Sequence, residues 1–169
     1  MTVAWDERRG GALRILVLAD DLIWATRLEG QLRTVGADPI RVRSVAAFAA
    51  PLAGAAPPAP SDGRPAGAVV DLTARAYDGI AAVRLAVAAG LRVMCVGQHD
   101  DPSSRRAAQD AGAERVFTYR TLFEDGHAKL AAWLGVPAPA PGSLTAPASA
   151  PRPTAGAIVP QPSSEVPAR

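Results

Sequence analysis

Three aspartates carry the chemistry open to this sequence. Asp71 closes the apolar run of "GAVVDLTARAYDG" (67–79), and Asp20 and Asp21 follow the run "LRILVLA" (13–19). An acid at the carboxyl end of a buried strand stands where open α/β sheets gather their ligands. If the two runs form neighbouring strands, all three carboxylates face one crevice. Close carboxylates repel one another unless a hard cation neutralises them, and Mg²⁺ accepts oxygen ligands of this kind. Each acid also has a plainer reading, which stays open: Asp21 caps a helix, Asp20 is solvated, Asp71 is a loop acid.

The elements that would position these acids alternate along the chain. "LRILVLA" reads as a buried strand, and "DLIWATRLEGQLRTVGA" places Ala25, Leu28, Leu32 and Val35 on one helical face. Asp21 suits its N-cap and Gly36 its stop. "DPIRVR" alternates as a second strand, and Ser44 opens a short helix in "SVAAFAAPLAG". The prolines and the Asp62-Gly63 pair of "PLAGAAPPAPSDGRPAG" predict a long irregular loop. "GAVVDL" is the third strand, residues 79 to 90 a helix, and "LRVMCVG" a fourth strand buried on both faces. Asp101 caps the next helix, with Pro102 in its first turn and Gly112 at its end. "RVFTY" is the fifth strand, followed by a helix opened by a Thr121/Glu124 capping box, with Leu130, Trp133 and Leu134 facing inward. This rhythm predicts an α/β fold, a doubly wound five-stranded parallel sheet with helices on both faces.

Composition narrows the function classes. The chain has 169 residues, long enough for one domain with a real core. Residues 1–12 read as a flexible N-terminus, 13–135 as the folded domain, and 136–169 as a disordered Pro/Ala-rich tail. A net charge of +2 without any dense Lys/Arg block argues against nucleic acid as a partner. The first residues lack the apolar core of a signal peptide, and no run is long enough to cross a bilayer, so the expected location is cytoplasmic with no membrane partner. The single cysteine, Cys95, lies in an apolar strand and reads as a small buried hydrophobe. No Gly-rich phosphate loop follows the first strand. His99 and His127 are too far apart, with too few partners, for a zinc site. "EDGHAKL" opens like a cobalamin-binding signature but has Leu130 where the glycine is due. Trp24, on the first helix, is read either as a partly buried helix residue or as an anchor for a partner.

Three segments carry a resemblance to a known family. "VLADDL", "VVDLTARAYDG" with the Asp78-Gly79 pair, and "AAQDAGAERVF" resemble the receiver domain of bacterial response regulators, over roughly residues 13 to 135. The resemblance implies a flavodoxin-like sheet of strand order 2-1-3-4-5. It implies that Asp71 accepts a phosphoryl group from a histidine kinase, and that Asp20, Asp21 and Asp71 hold Mg²⁺, Asp21 directly and Asp20 through water.

The departures from the family pattern fall on the readout of that phosphoryl group. Gly97 stands where receivers carry Ser or Thr, and Tyr119 and Arg120 stand where they carry Lys-Pro. Val116 occupies the aromatic switch position, and Ala74 and Arg75 replace Met-Pro. Arg120 is one place late on a strand, where side chains alternate, and is expected to point away. A phosphoryl group adds about 1.5 to 2 negative charges, and it becomes a signal only through contacts that differ between two states. The first expectation is a stand-alone, degenerate receiver-like module of a phosphorelay, with signalling proteins as partners (a histidine kinase or a downstream regulator). The alternative is a phosphorylation-independent pseudo-receiver, a scaffold that docks a partner on its fourth helix, fifth strand and fifth helix. No nucleophile–base pair supports an enzyme.

Overall fold

Five parallel strands form one sheet in the order β2-β1-β3-β4-β5, the order and fold class expected. The computed structural model describes residues 12–53, 64–98 and 101–138. The expectations for the N-terminal residues 1–11, for most of the Pro-rich loop (54–63), for His99 and for the Pro/Ala tail from 139 onward lie outside the described residues. The elements are β1 (Leu13–Leu18), α1 (Leu22–Thr34), β2 (Ala37–Val42), α2 (Val45–Ala49) running into a 3-10 turn (Ala50–Leu52), β3 (Gly67–Asp71), α3 (Gly79–Ala88), β4 (Arg92–Gly97), α4 (Pro102–Asp110), β5 (Arg115–Thr118) and α5 (Tyr119–Leu134).

The apolar runs explain the layering. Successive side chains of a strand point to opposite faces, so β1 sends Ile15 and Val17 one way and Leu16 and Leu18 the other. Ile15 and Val17 join Val69, Met94 and Val96 beneath Leu28 and Leu32 of α1 and Leu122, Leu130 and Trp133 of α5. Leu16 and Leu18 join Val70, Val93 and Cys95 beneath Phe48, Val83, Ala86 and Ala108 of α2, α3 and α4. Every residue of β3 is buried, as the central strand of a sheet covered on both faces must be. Pro39, which cannot donate to a ladder, sits in the edge strand β2, where that cost is small. Among the described residues, no helix is long and apolar enough to cross a membrane.

Helix ends follow the expected signals closely. Asp21 Oδ1 accepts from the amides of Ile23 (2.8 Å) and Trp24 (3.1 Å), and Ser44 Oγ accepts from Ala47 N at 3.2 Å. Asp101 caps α4 through the Ser104 amide at 2.9 Å. Bonds from Ser103 and Ser104 hold its carboxyl down at about 2. Gly36 and Gly112 take positive φ (80° and 100°), the left-handed region that a residue with a Cβ enters only at a cost.

The start of α5 departs from expectation. Strand β5 ends at Thr118, whose Oγ1 accepts from Thr121 N at 3.1 Å and so caps a helix that begins at Tyr119. The expected Thr121/Glu124 box does not form: Thr121 bonds the Thr118 hydroxyl at 2.9 Å, and Glu124 pairs with Arg120 at 2.8 Å. A threonine in β conformation immediately before the helix satisfies the free amides earlier than the box could. Tyr119 is therefore a helical residue and not the last of a strand.

Candidate functional site at the carboxyl ends of β1 and β3

β1 and β3 are parallel, hydrogen-bonded neighbours, so Asp20 and Asp71 lie at the same carboxyl end of the sheet. Their side chains then take different partners. Asp71 is 1% exposed. Its Oδ1 accepts from the Thr73 amide and from the Thr73 hydroxyl, both at 2.8 Å. Its Oδ2 is buried with no hydrogen-bond partner, a cost comparable to a lost hydrogen bond unless something fills the gap.

Thr73 extends the network. Its hydroxyl lies 3.2 Å from the hydroxyl of Tyr119. Thr73 has one hydroxyl proton and directs it to Asp71, so Tyr119 is the donor of that second bond. Burial, then the neighbouring Asp71 carboxylate, pushes the Tyr119 phenol well above its ordinary range, which keeps it protonated. A second phenol bonds the backbone at the ends of β1 and β3. The Tyr77 hydroxyl donates to the Leu18 carbonyl at 2.8 Å and lies 3.2 Å from the Asp71 carbonyl. Burial, followed by the Asp71 and Asp20 carboxylates, pushes it up as well.

Asp20 and Asp21 are engaged by backbone. Asp20 Oδ2 accepts from the amides of Arg75 (3.0 Å) and Ala76 (3.3 Å), which fixes the loop after β3 against the end of β1. Asp21 is the α1 cap, the plainer of its two readings. Among the described residues no three His, Cys, Asp or Glu side chains are grouped so as to hold a metal ion. Of the expected Mg²⁺ trio of Asp20, Asp21 and Asp71, Asp21 turns Oδ1 to its helix and Asp20 turns Oδ2 to the loop after β3, while Asp71 keeps Oδ2 without a partner.

The remaining positions complete the picture. Gly97 ends β4, and a Cβ there would meet only Leu72, at 3.8 Å. Next to it a cleft of about 230 Å³ is bordered by Leu72, Thr73, Gly97, Gln98, Ser104 and Arg105. Arg120 points into solvent, its side chain 83% exposed, as expected, although the cause is the first turn of a helix. Tyr119 stacks on Trp24 (centroids 4.3 Å apart), Trp24 stacks on Phe123 (4.8 Å), and Arg27 lies over the Trp24 and Phe123 rings. Trp24 is thus a half-buried member of an aromatic stack between α1 and α5. Sequence reasoning missed Thr73, Tyr77 and the bonding role of Tyr119. Of these only Thr73 left a signal, an "Asp-x-Thr" spacing that suits a local side-chain turn.

No protein-family model matches the sequence, and no curated protein matches it. Solved structures match strongly. A response regulator receiver protein from Burkholderia phymatum superposes with a TM-score of 0.62 at 24% identity, covering 75% of this chain and 98% of that one. The receiver domain of a sensor histidine kinase from Pseudomonas aeruginosa, solved with magnesium coordinated in its active-site cleft, gives 0.59 at 17% identity over 74% and 99% of the two chains. A phosphorylated cyanobacterial phytochrome response regulator gives 0.60 at 16% over 73% and 95%. The strand order, the helices on both faces and these superpositions agree: the chain has the fold of a response-regulator receiver domain.

Proposed function

We propose that this protein is a pseudo-receiver, a receiver-fold signalling module that works by binding other proteins without accepting a phosphoryl group. The observation that carries this reading is the closed state of Asp71, 1% exposed and tied through Thr73 to Tyr119. A neutral phenol stands where the resemblance calls for a lysine ammonium. It can donate one hydrogen bond, but it brings no positive charge to offset the roughly 1.5 to 2 negative charges of a phosphoryl group. Gly97 offers no hydroxyl, and one oxygen each of Asp20 and Asp21 is taken by backbone amides. Signalling partners suit the fold, and its surface of α4, β5 and α5 is the face proposed for docking.

One observation favours the other reading, that Asp71 is a phosphoryl acceptor in a phosphorelay: its Oδ2 is buried with no partner, so one carboxylate oxygen is uncommitted. Incubation with acetyl phosphate and Mg²⁺, followed by intact mass and peptide mapping, separates the two. The pseudo-receiver reading expects no adduct on Asp71. A stoichiometric, hydrolysable adduct there overturns it and supports the acceptor reading.

A further inference from the structure

Helix α5 is not one straight rod. Asp125 has non-helical backbone angles (φ −128°, ψ 20°), which divide the helix into a short segment, 119–124, and a longer one, 126–134. Sharp helix kinks arise where a side chain enters the backbone ladder, and one does so here. Gln31 of α1 donates its side-chain amide to the Leu122 carbonyl at 2.5 Å. In a regular helix that carbonyl receives the amide of Gly126. Gly126 is buried against the same side chain: a Cβ there would stand 2.5 Å from Gln31 Oε1, which is itself buried and unpartnered. A glycine and a wedge from the neighbouring helix thus meet at the bend.

The two segments are held in different ways. The longer one is anchored in the core by Leu130, Ala131, Trp133 and Leu134, all buried. The short one holds Leu122 in the core, is capped by Thr118 and bonded by Gln31, and is further anchored by the Tyr119–Thr73 bond and the stacking of Tyr119 and Phe123 on Trp24. Through the Thr73 hydroxyl, Tyr119 is also linked to Asp71 Oδ1.

We infer that residues 119–124 form a hinged cap over Asp71, turning about Asp125–Gly126 and latched by Tyr119. The cap deepens the proposed function by naming what controls access to that site. It stands or falls separately from whether Asp71 takes a phosphoryl group, because its test reads backbone opening and carboxylate accessibility.

The test pairs two measurements on the full chain, in the wild type and in Tyr119→Phe and Tyr119→Ala. Hydrogen exchange is followed at the amides of Leu122, Phe123 and Glu124 and, as an internal reference, at those of 127–134. In parallel, carbodiimide coupling of an amine to Asp71 is quantified by peptide mass. Loss of a hydrogen bond and a stacked ring predicts that Tyr119→Ala speeds exchange at 122–124 about tenfold, with 127–134 unchanged, and raises Asp71 labelling by a similar factor. Tyr119→Phe keeps the ring and falls between. Exchange that rises equally in both segments shows α5 opening as one unit and overturns the hinge. Asp71 labelling that stays at the wild-type level in Tyr119→Ala overturns the cap.

Discussion

The Tyr119 hydroxyl lies 3.2 Å from the Thr73 hydroxyl, which in turn donates to Asp71 Oδ1 at 2.8 Å. Three elements meet in that chain of two bonds: the first turn of α5, the loop after β3, and the end of β3. Thr73→Val keeps the side-chain shape and removes the hydroxyl, leaving Asp71 with the Thr73 amide alone and Tyr119 without its acceptor. Hydrogen bonds to charged groups contribute about 1.5–3 kcal/mol, so Thr73→Val is expected to lower stability by about 2 kcal/mol. Urea unfolding at neutral pH measures it. A change below about 0.5 kcal/mol would mean that the network is not formed in solution.

A second buried acid predicts an acid-sensitive stability. Glu29 is 7% exposed and bonded by Arg41 and, at 3.1 Å, by Arg33. Burial pushes its carboxyl up, and the bonds and charges of Arg41 and Arg33 outweigh that, leaving it below its ordinary 4.5. A carboxyl depressed on folding contributes stability that is present above its unfolded pKa and disappears as pH falls through the folded one. Glu29→Gln should therefore be less stable than wild type near pH 7, by about 1–3 kcal/mol, and the gap should shrink as the pH drops below about 4.5. Denaturation curves at several pH values test both parts. A gap that persists unchanged at low pH would point to packing and not charge.

Much of this architecture could be read from the linear pattern, and the missing parts share a cause. Strand alternation, the caps at Asp21, Ser44 and Asp101, and the turns at Gly36 and Gly112 are encoded within a few residues of where they act. The nature of the site is not. Thr73 meets Tyr119 across 46 positions, Asp20 meets Arg75 across 55, and Gln31 meets Leu122 across 91. No local period announces such pairs. Asp21 could be read as a cap, but nothing local shows that Asp20 lies within reach of the backbone amides of Arg75 and Ala76. Tyr119 was misread for a related reason: an aromatic residue after "RVFT" suits a strand, and the Thr118 cap overrides that propensity.

Cys95 gives a direct check of the packed interior. It is fully buried in β4, and burial pushes its thiol up to about 12. Thiol reagents attack the thiolate, so native protein at pH 8 should resist alkylation while urea-unfolded protein labels completely. Labelling of the native protein at the unfolded rate would mean that α2, α3 and α4 do not cover the face on which Cys95 lies.

Two glycines at opposite ends of neighbouring strands should respond in opposite ways, and the contrast bears on the site. At Gly67 a Cβ would stand 3.1 Å from both the Arg92 carbonyl and the Trp133 ring. The first is backbone within the sheet, and the second is a buried ring with little room to move. Gly67→Ala is expected to lower stability by about 1–3 kcal/mol, the cost of overpacking. At Gly97 the nearest atoms, both of Leu72, lie at an ordinary 3.8 Å, and the cleft beside it leaves room for a hydroxyl. Gly97→Ser should change stability by less than about 1 kcal/mol, with some gain from the reduced freedom of the unfolded chain. Urea unfolding of the two variants side by side decides this. If Gly97→Ser proves as costly as Gly67→Ala, packing demands a glycine there and its presence says nothing about function. If Gly97→Ser is harmless, the sheet tolerates at this position the hydroxyl that the receiver resemblance calls for. Its absence is then a property of the site and not of the fold, which is what the proposed pseudo-receiver requires.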